Sequence, residues 1–215
     1  MKIKNLKLEI IVASIFILFL IFSALVSLNV FSVLDYRTTV AFQSFFPESL
    51  TTPFSIFSIL GSFEVMVLAL LLILLFFTKI KKIYLFAFFV LVGLIEIAGK
   101  TFIEHVSPPI ELLRTNISFG FPSGKVIPHE IFYSYPSGHT ARTAFISTVL
   151  IFAIWRSPMK KEFKYIFAFC ILIFDLIMFV SRIYLGEHWL TDVIGGALLG
   201  FSLCFIAYYF TSLEK

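Results

Sequence analysis

Pro136-Ser137-Gly138-His139 and the run Ser181-Arg182, His188, Asp192 bring two imidazoles, a guanidinium and a carboxylate to the ends of apolar segments. His188 and Asp192 are four residues apart, a spacing that shares one helix face. A carboxylate on an imidazole fixes its tautomer, raises its basicity and leaves the far ring nitrogen as a nucleophile. Arg182 precedes His188 by six residues across a turn at Gly186, and its planar fork suits phosphate oxygens. Pro136 and Gly138 open a helix sharply. Free amides, the helix dipole and the Ser137 hydroxyl favour an anion there, with His139 beside it as proton donor to a leaving oxygen. Arg142, three residues after His139, lies on the same face and adds charge. Lys100 closes another apolar segment, and Glu96, Lys100 and Glu104 repeat at four-residue spacing down one stripe. Ionisable residues in such segments are costly and are either functional or paired. These types suit phosphate-ester cleavage, whose transition state spreads charge over the phosphoryl oxygens.

Taken singly, each motif has a plainer reading: a capped helix start, a snorkelling arginine, a self-neutralising ladder, a polar helix end. The elements that carry them decide between the readings. About 60% of the residues are hydrophobic and 14% charged, far from the balance of a water-soluble domain. Apolar runs long enough to cross ~30 Å of hydrocarbon dominate the chain. Six are expected, over 10–31, 61–78, 83–104, 139–155, 165–185 and 189–210. The fold class is therefore all-α, a polytopic membrane protein of six transmembrane helices, with a long extracytoplasmic loop between helices 3 and 4. A single membrane domain takes up residues 1–215, its motif core at 100–192. Lys2, Lys4 and Lys7 lead a first run longer than a signal-peptide core, which is read as a retained helix.

Charge placement sets orientation. Lys2, Lys4, Lys7, Lys79, Lys81, Lys82, Arg156, Lys160, Lys161, Lys164 and Lys215 fall on one side, eleven in all. Arg37, Lys100, Arg114, Lys125, Arg142 and Arg182, six in all, fall on the other. Both termini are expected in the cytoplasm of a plasma (inner) membrane, and the motifs outside. Residues 34–60 read as an interfacial segment with Asp35, Arg37, Pro47, Glu48 and Pro53. Residues 105–135 hold Pro108, Pro109, Pro122, Pro128, Gly120 and Gly124, which forbid a long helix and suit a lid or substrate-recognition loop. Pro122-Ser123-Gly124-Lys125 echoes the second motif without its histidine and reads as a turn. Gly196 and Gly200 read as a close helix contact. Cys170 and Cys204 read as apolar packing residues. No basic stripe interleaves with exposed aromatics, so no nucleic-acid partner is expected. Glu64 and Asp175 are the clear ionisable residues deep in spans outside the motif helices, and Asp175 is expected to support the helix that carries Arg182.

In order and spacing the motifs resemble those of the type 2 phosphatidic acid phosphatase superfamily, which includes lipid phosphatases and vanadium haloperoxidases. That pattern runs lysine, six residues, Arg-Pro; then Pro-Ser-Gly-His; then Ser-Arg, five residues, His, three residues, Asp. The second stands complete at residues 136–139 and the third at Ser181, Arg182, His188 and Asp192. The first departs: Lys100 and Pro108 fall in place, but Ser107 occupies the arginine position. Arg142 is the candidate replacement, ahead of Arg114 and Lys125.

The resemblance implies His188 as the nucleophile that forms a phosphohistidine, Asp192 as its orienter, and His139 as the acid that protonates the leaving group and later activates water. Lys100, Arg182, Ser137 and Gly138, with Arg142, would hold the phosphoryl oxygens. It implies no cofactor and no metal. The expected substrate is a lipid phosphate or diphosphate, of the phosphatidic acid, phosphatidylglycerol phosphate or polyprenyl diphosphate type, drawn from surrounding membrane lipids. Two other readings remain open from the residues: a lipid phosphotransferase using the same site, and a non-catalytic membrane protein, either a transporter or a degenerate phospholipid binder.

Overall fold

In a medium without water a backbone must satisfy its own hydrogen bonds, and over its described residues each of the six apolar runs is mostly helical. A computed structural model describes residues 2–76, 82–114 and 133–213. Its helices are α1 (Lys2–Ser27), α2 (Ser32–Phe45), α3 (Thr51–Ser58), α4 (Phe63–Phe76), α5 (Lys82–Phe102), α6 (Gly138–Arg156), α7 (Lys161–Tyr184) and α8 (Leu190–Leu213). Short 3-10 turns at Glu48–Leu50, Ile59–Gly61 and Ile110–Leu112 join or follow them. No strand occurs among the described residues.

Among the described residues four helices are long and apolar enough to cross a membrane: α1, α5, α7 and α8. A fifth crossing arises if the pair Glu48–Gly61 and Phe63–Leu75, bent by 50°, counts as one broken span. α6 has the length of a span but not the apolarity, because it carries Thr140, Arg142, Thr143, Ser147 and Thr148. Its position explains this composition. From Gly138 to Val149 every residue except His139 is buried, so α6 faces other helices rather than lipid. α8 packs along it. A Cβ at Gly196 would collide with the Ser137 carbonyl, and one at Gly200 with the Ala141 carbonyl, so these glycines let the two backbones meet. The expected role of that pair is the observed one.

The segment read as interfacial is helical and packs on α7 and α8. It forms α2 and α3, and α2 buries Asp35 and Thr39. Both oxygens of Asp35 cap the start of α8, accepting from Thr191 N at 2.9 Å and Thr191 Oγ1 at 2.7 Å. Asp175 on α7 accepts from Ser147 Oγ on α6 at 2.6 Å, so it ties α7 to the central helix. The cysteines are free, Cys170 exposed and Cys204 in the core. Lys79, Lys81, Lys125 and Lys215, and the Pro122-Ser123-Gly124-Lys125 turn, lie outside the described residues. On either side of that stretch the described connection from α5 to α6 is irregular, apart from the 3-10 turn.

Candidate active site

The third motif is built by a helix stop and a helix start with five residues between them. α7 ends at Tyr184, and Gly186 takes φ +68°, a left-handed conformation that suits glycine. Gly186 N–H donates to the Ile183 carbonyl and Glu187 N–H to the Arg182 carbonyl, the paired bonds of a Schellman stop. His188 N–H also donates to the Arg182 carbonyl, at 3.3 Å, which sets His188 directly against the arginine. α8 starts at Leu190, so His188 precedes the helix instead of sharing its face. Asp192 closes the gap. Its Oδ2 reaches back to Trp189 N–H at 2.9 Å, as a third-position carboxylate caps a helix, and lies 3.3 Å from His188 Nδ1. With Nδ1 facing Asp192, the free nitrogen of His188 is Nε2. Burial pushes this imidazole below its ordinary pKa, against the opposing pull of Asp192.

The second motif opens α6 against this turn. Ser137 N–H donates to the Asp192 backbone carbonyl at 3.0 Å, joining the two motifs through the main chain. That bond uses the Ser137 amide, so serine has its hydroxyl to offer. Oγ is buried and has no hydrogen-bond partner among the described residues. The first intrahelical bond runs from Ala141 N to Ser137 O, which leaves the Gly138 and His139 amides without helical acceptors. The His139 ring packs over Gly61, where an added Cβ would meet it at 2.9 Å. Arg182, Arg142, His188 and Lys100 all act on this ring electrostatically. The two motif histidines, from different segments, thus stand in one cluster with three cations.

Each cation is matched by a carboxylate. Lys100 Nζ donates to Glu96 Oε1 at 2.8 Å, and Arg142 donates to the other oxygen of the same carboxylate. Glu96 in turn lies against Gly138, in the space a Cβ would take. Arg182 donates to Ser58 and to Glu187. The Nε atoms of Arg142 and Arg182 are buried and unpartnered. Arg114 is engaged elsewhere: it donates to Tyr184 Oη at 3.2 Å and lies over that ring, with its backbone N–H on Leu185. Of the described candidates for the arginine missing at Ser107, Arg142 is the one inside the cluster.

Three participants were not singled out from sequence. Glu187 and Ser58 bind Arg182, and no spacing rule points to either. His105, five residues after Lys100, places Nδ1 2.8 Å from Asp192 Oδ1 and Nε2 3.6 Å from Asp35 Oδ2. Asp192 therefore serves two imidazoles. Burial opposes protonation of His105, but its hydrogen bond to Asp192 and the nearby Asp35 carboxylate prevail and push its pKa up to about 9. A lone histidine in a proline-rich stretch gave no signal, because its partners come from α2 and α8.

A family model described as the PAP2 superfamily matches residues 82–215. Over 86 residues the chain is 33% identical to phosphatidylglycerophosphatase B of Bacillus subtilis (strain 168), covering 40% of this chain and 42% of that protein. Over 90 residues it is 34% identical to an undecaprenyl-diphosphatase of Sulfolobus acidocaldarius, covering 42% and 39%. The matches thus span about two-fifths of each curated relative. The fold superposes on the crystal structure of a transmembrane PAP2-type phosphatidylglycerolphosphate phosphatase from Bacillus subtilis with a TM-score of 0.76, at 23% identity over 95% of this chain and 97% of that one. It superposes on Aquifex aeolicus LpxE with a TM-score of 0.61, at 27% identity over 81% and 94%.

Proposed function

As the chain belongs to the PAP2 superfamily, we propose that it is an integral-membrane phosphatase acting on a lipid phosphate or diphosphate through a phosphohistidine. One observation carries this reading. Beside the His188–Asp192 pair, the buried donors Ser137 Oγ, Arg142 Nε and Arg182 Nε have no acceptor among the described residues. Buried donors left unpaired are costly, and a phosphoryl group offers the oxygens they lack. The named relatives act on phosphatidylglycerophosphate and undecaprenyl diphosphate, both lipids, which supports the same substrate class.

In the first step Nε2 of His188 attacks phosphorus as the bond to the leaving oxygen breaks, and His139 gives that oxygen a proton. In the second step His139 takes a proton from water, the hydroxide oxygen bonds to phosphorus, and the P–N bond breaks. Inorganic phosphate and neutral His188 result. Asp192 stabilises the charge on the imidazole in both steps. Lys100, Arg142 and Arg182 supply the positive charge that the phosphoryl oxygens need, so the reaction runs without a metal. All six apolar helices cross the bilayer in this reading, α6 shielded by its neighbours, and the excess of basic residues on the opposite side puts the site at the extracytoplasmic face.

The test is phosphate release from a panel of lipid phosphates in detergent, with and without chelator, by wild type, His188→Ala and His139→Ala. Both variants are expected to insert normally and to release no phosphate. Full activity in purified His188→Ala removes the covalent mechanism, loss of wild-type activity with chelator removes the metal-free one, and label appearing on an alcohol acceptor makes the protein a phosphotransferase.

A further inference from the structure

Asp192 does not belong to His188 alone. Its Oδ1 is 2.8 Å from His105 Nδ1, closer than the 3.3 Å between Oδ2 and His188 Nδ1. The other nitrogen of His105 faces Asp35, itself fixed by two bonds from Thr191. Both carboxylates are essentially buried, Asp35 at 1% and Asp192 at 0% exposure. Among the described residues their ion-pair partners are His105 and His188. Burying two carboxylates without a cation is expensive. An imidazole with an acceptor at each nitrogen is the group placed to carry that charge.

We infer that His105 is a positioning residue of the dyad: as an imidazolium clamped between Asp35 and Asp192, it fixes the carboxylate on His188 and limits how basic His188 becomes. The inference rests on the phosphatase reading above for its kinetic arm only. Its backbone is held for the task, because Ser134 donates to the His105 carbonyl through both N–H, at 2.9 Å, and Oγ, at 3.0 Å. The groups that face the ring are Asp35 from α2, Asp192 from α8 and, edge-on at 6.4 Å between centroids, Tyr135 ahead of α6. From α5 the nearest charged side chain of the site, Lys100, is committed to Glu96. The balance of these groups favours the cation, in line with the upward shift to about 9.

The consequence has a sign. A positive ring sharing the carboxylate disfavours protonation of His188, whose neutral form is the nucleophile. Removing the charge of His105 raises the pKa of His188, so the acid limb of kcat/KM moves to higher pH. One opposite or like charge within a few ångströms shifts a pKa by about one unit or more. His105→Ala is expected to move the limb up by about one unit and to lower kcat about tenfold, with KM little changed. His105→Gln keeps an N–H for Asp192 without the charge, so it recovers most of kcat but keeps the displaced limb.

A purely structural role lowers the rate without moving the limb. Limbs coincident with wild type in both variants overturn the inference, whatever their maximal rates. A second measurement needs no activity. Long-range 15N NMR of the histidine rings in detergent-solubilised wild type at pH 8 should find one imidazole protonated on both nitrogens, and that signal should be missing from His105→Gln. Four neutral histidines at pH 8 overturn it. A wild-type protein that releases no phosphate refutes the proposed function and leaves the NMR result to decide this inference.

Discussion

Glu96→Gln tests how the site balances its own charge. In the wild type Lys100, Arg142 and Arg182 bring three positive charges, and Glu96 and Glu187 return two, a net of +1. The variant leaves +2 at the same place. Glu96 holds both Lys100 and Arg142 and lies against Gly138, in the first turn of α6, where a phosphoryl oxygen would bind. An incoming phosphate must displace those two bonds and sit near a like charge. At ~6 Å and an effective dielectric near 20, that repulsion is about 3 kcal/mol, and partial screening halves it. About 1.4 kcal/mol is a tenfold change in dissociation constant. The Lys100 and Glu96 side chains are only 26% and 11% accessible, so solvent screens their charges in part. Inorganic phosphate should therefore inhibit Glu96→Gln at a concentration about tenfold lower than wild type, and raise its thermal midpoint more. Glu96→Asp keeps the charge and should follow the wild type. A phosphate inhibition constant in Glu96→Gln equal to or weaker than wild type refutes the argument.

Arg142→Ala should raise KM for the lipid substrate at least tenfold, with Arg142→Lys intermediate; an unchanged KM in steady-state assays removes Arg142 as the stand-in for the missing arginine. Gly200→Leu should destabilise the α6–α8 contact by about 1–3 kcal/mol, since even a Cβ there meets the Ala141 carbonyl. A lowered midpoint of thermal aggregation in detergent reads this, and an unchanged midpoint means the helices can part at no cost. The wild-type acid limb of kcat/KM should lie below the ordinary histidine value of about 6.5, because burial lowers His188 and its neutral form attacks. Activity is then lost as the pH falls through that limb. A limb above the ordinary value contradicts the assignment.

The sequence made the helices legible because long apolar runs have one backbone solution in a bilayer, and the motif spacing made the convergence of residues 100, 139, 182, 188 and 192 legible because each sits at a helix end. Gly196 and Gly200 could be read as a contact for the same reason: glycine has few other uses inside a helix. What escaped was everything set by approach between distant segments. Asp35 looked like an interfacial polar residue until α2 folded under the first turn of α8. His105 looked like one more loop residue, although its partners lie 70 and 87 positions away along the chain. Glu187 sits beside a motif histidine yet bonds to the arginine. The packing of the segment over 34–60 also went unread, because its contacts come from α7 and α8.

The stretch after α5 also joins the two halves of an amphiphile's problem. Lys100 is the most open of the site's cations. Within ten residues of it Phe102, Val106 and Ile110 are 80%, 72% and 73% exposed. His105 and Val106 are neighbours outside any helix, with the His105 ring turned inward to Asp192 and the Val106 side chain exposed. Trp189 Nε1 donates to the Val106 carbonyl at 2.7 Å, which pins this apolar edge to the turn that carries His188. Exposed apolar side chains of this size are costly in water and need no explanation in lipid. A phosphate headed for His188 would pass Lys100 with its hydrocarbon still lying along Phe102, Val106 and Ile110. A small soluble phosphate would gain the cation and forgo that contact, so in the proposed phosphatase reading a lipid phosphate is expected to be used in preference to a soluble one.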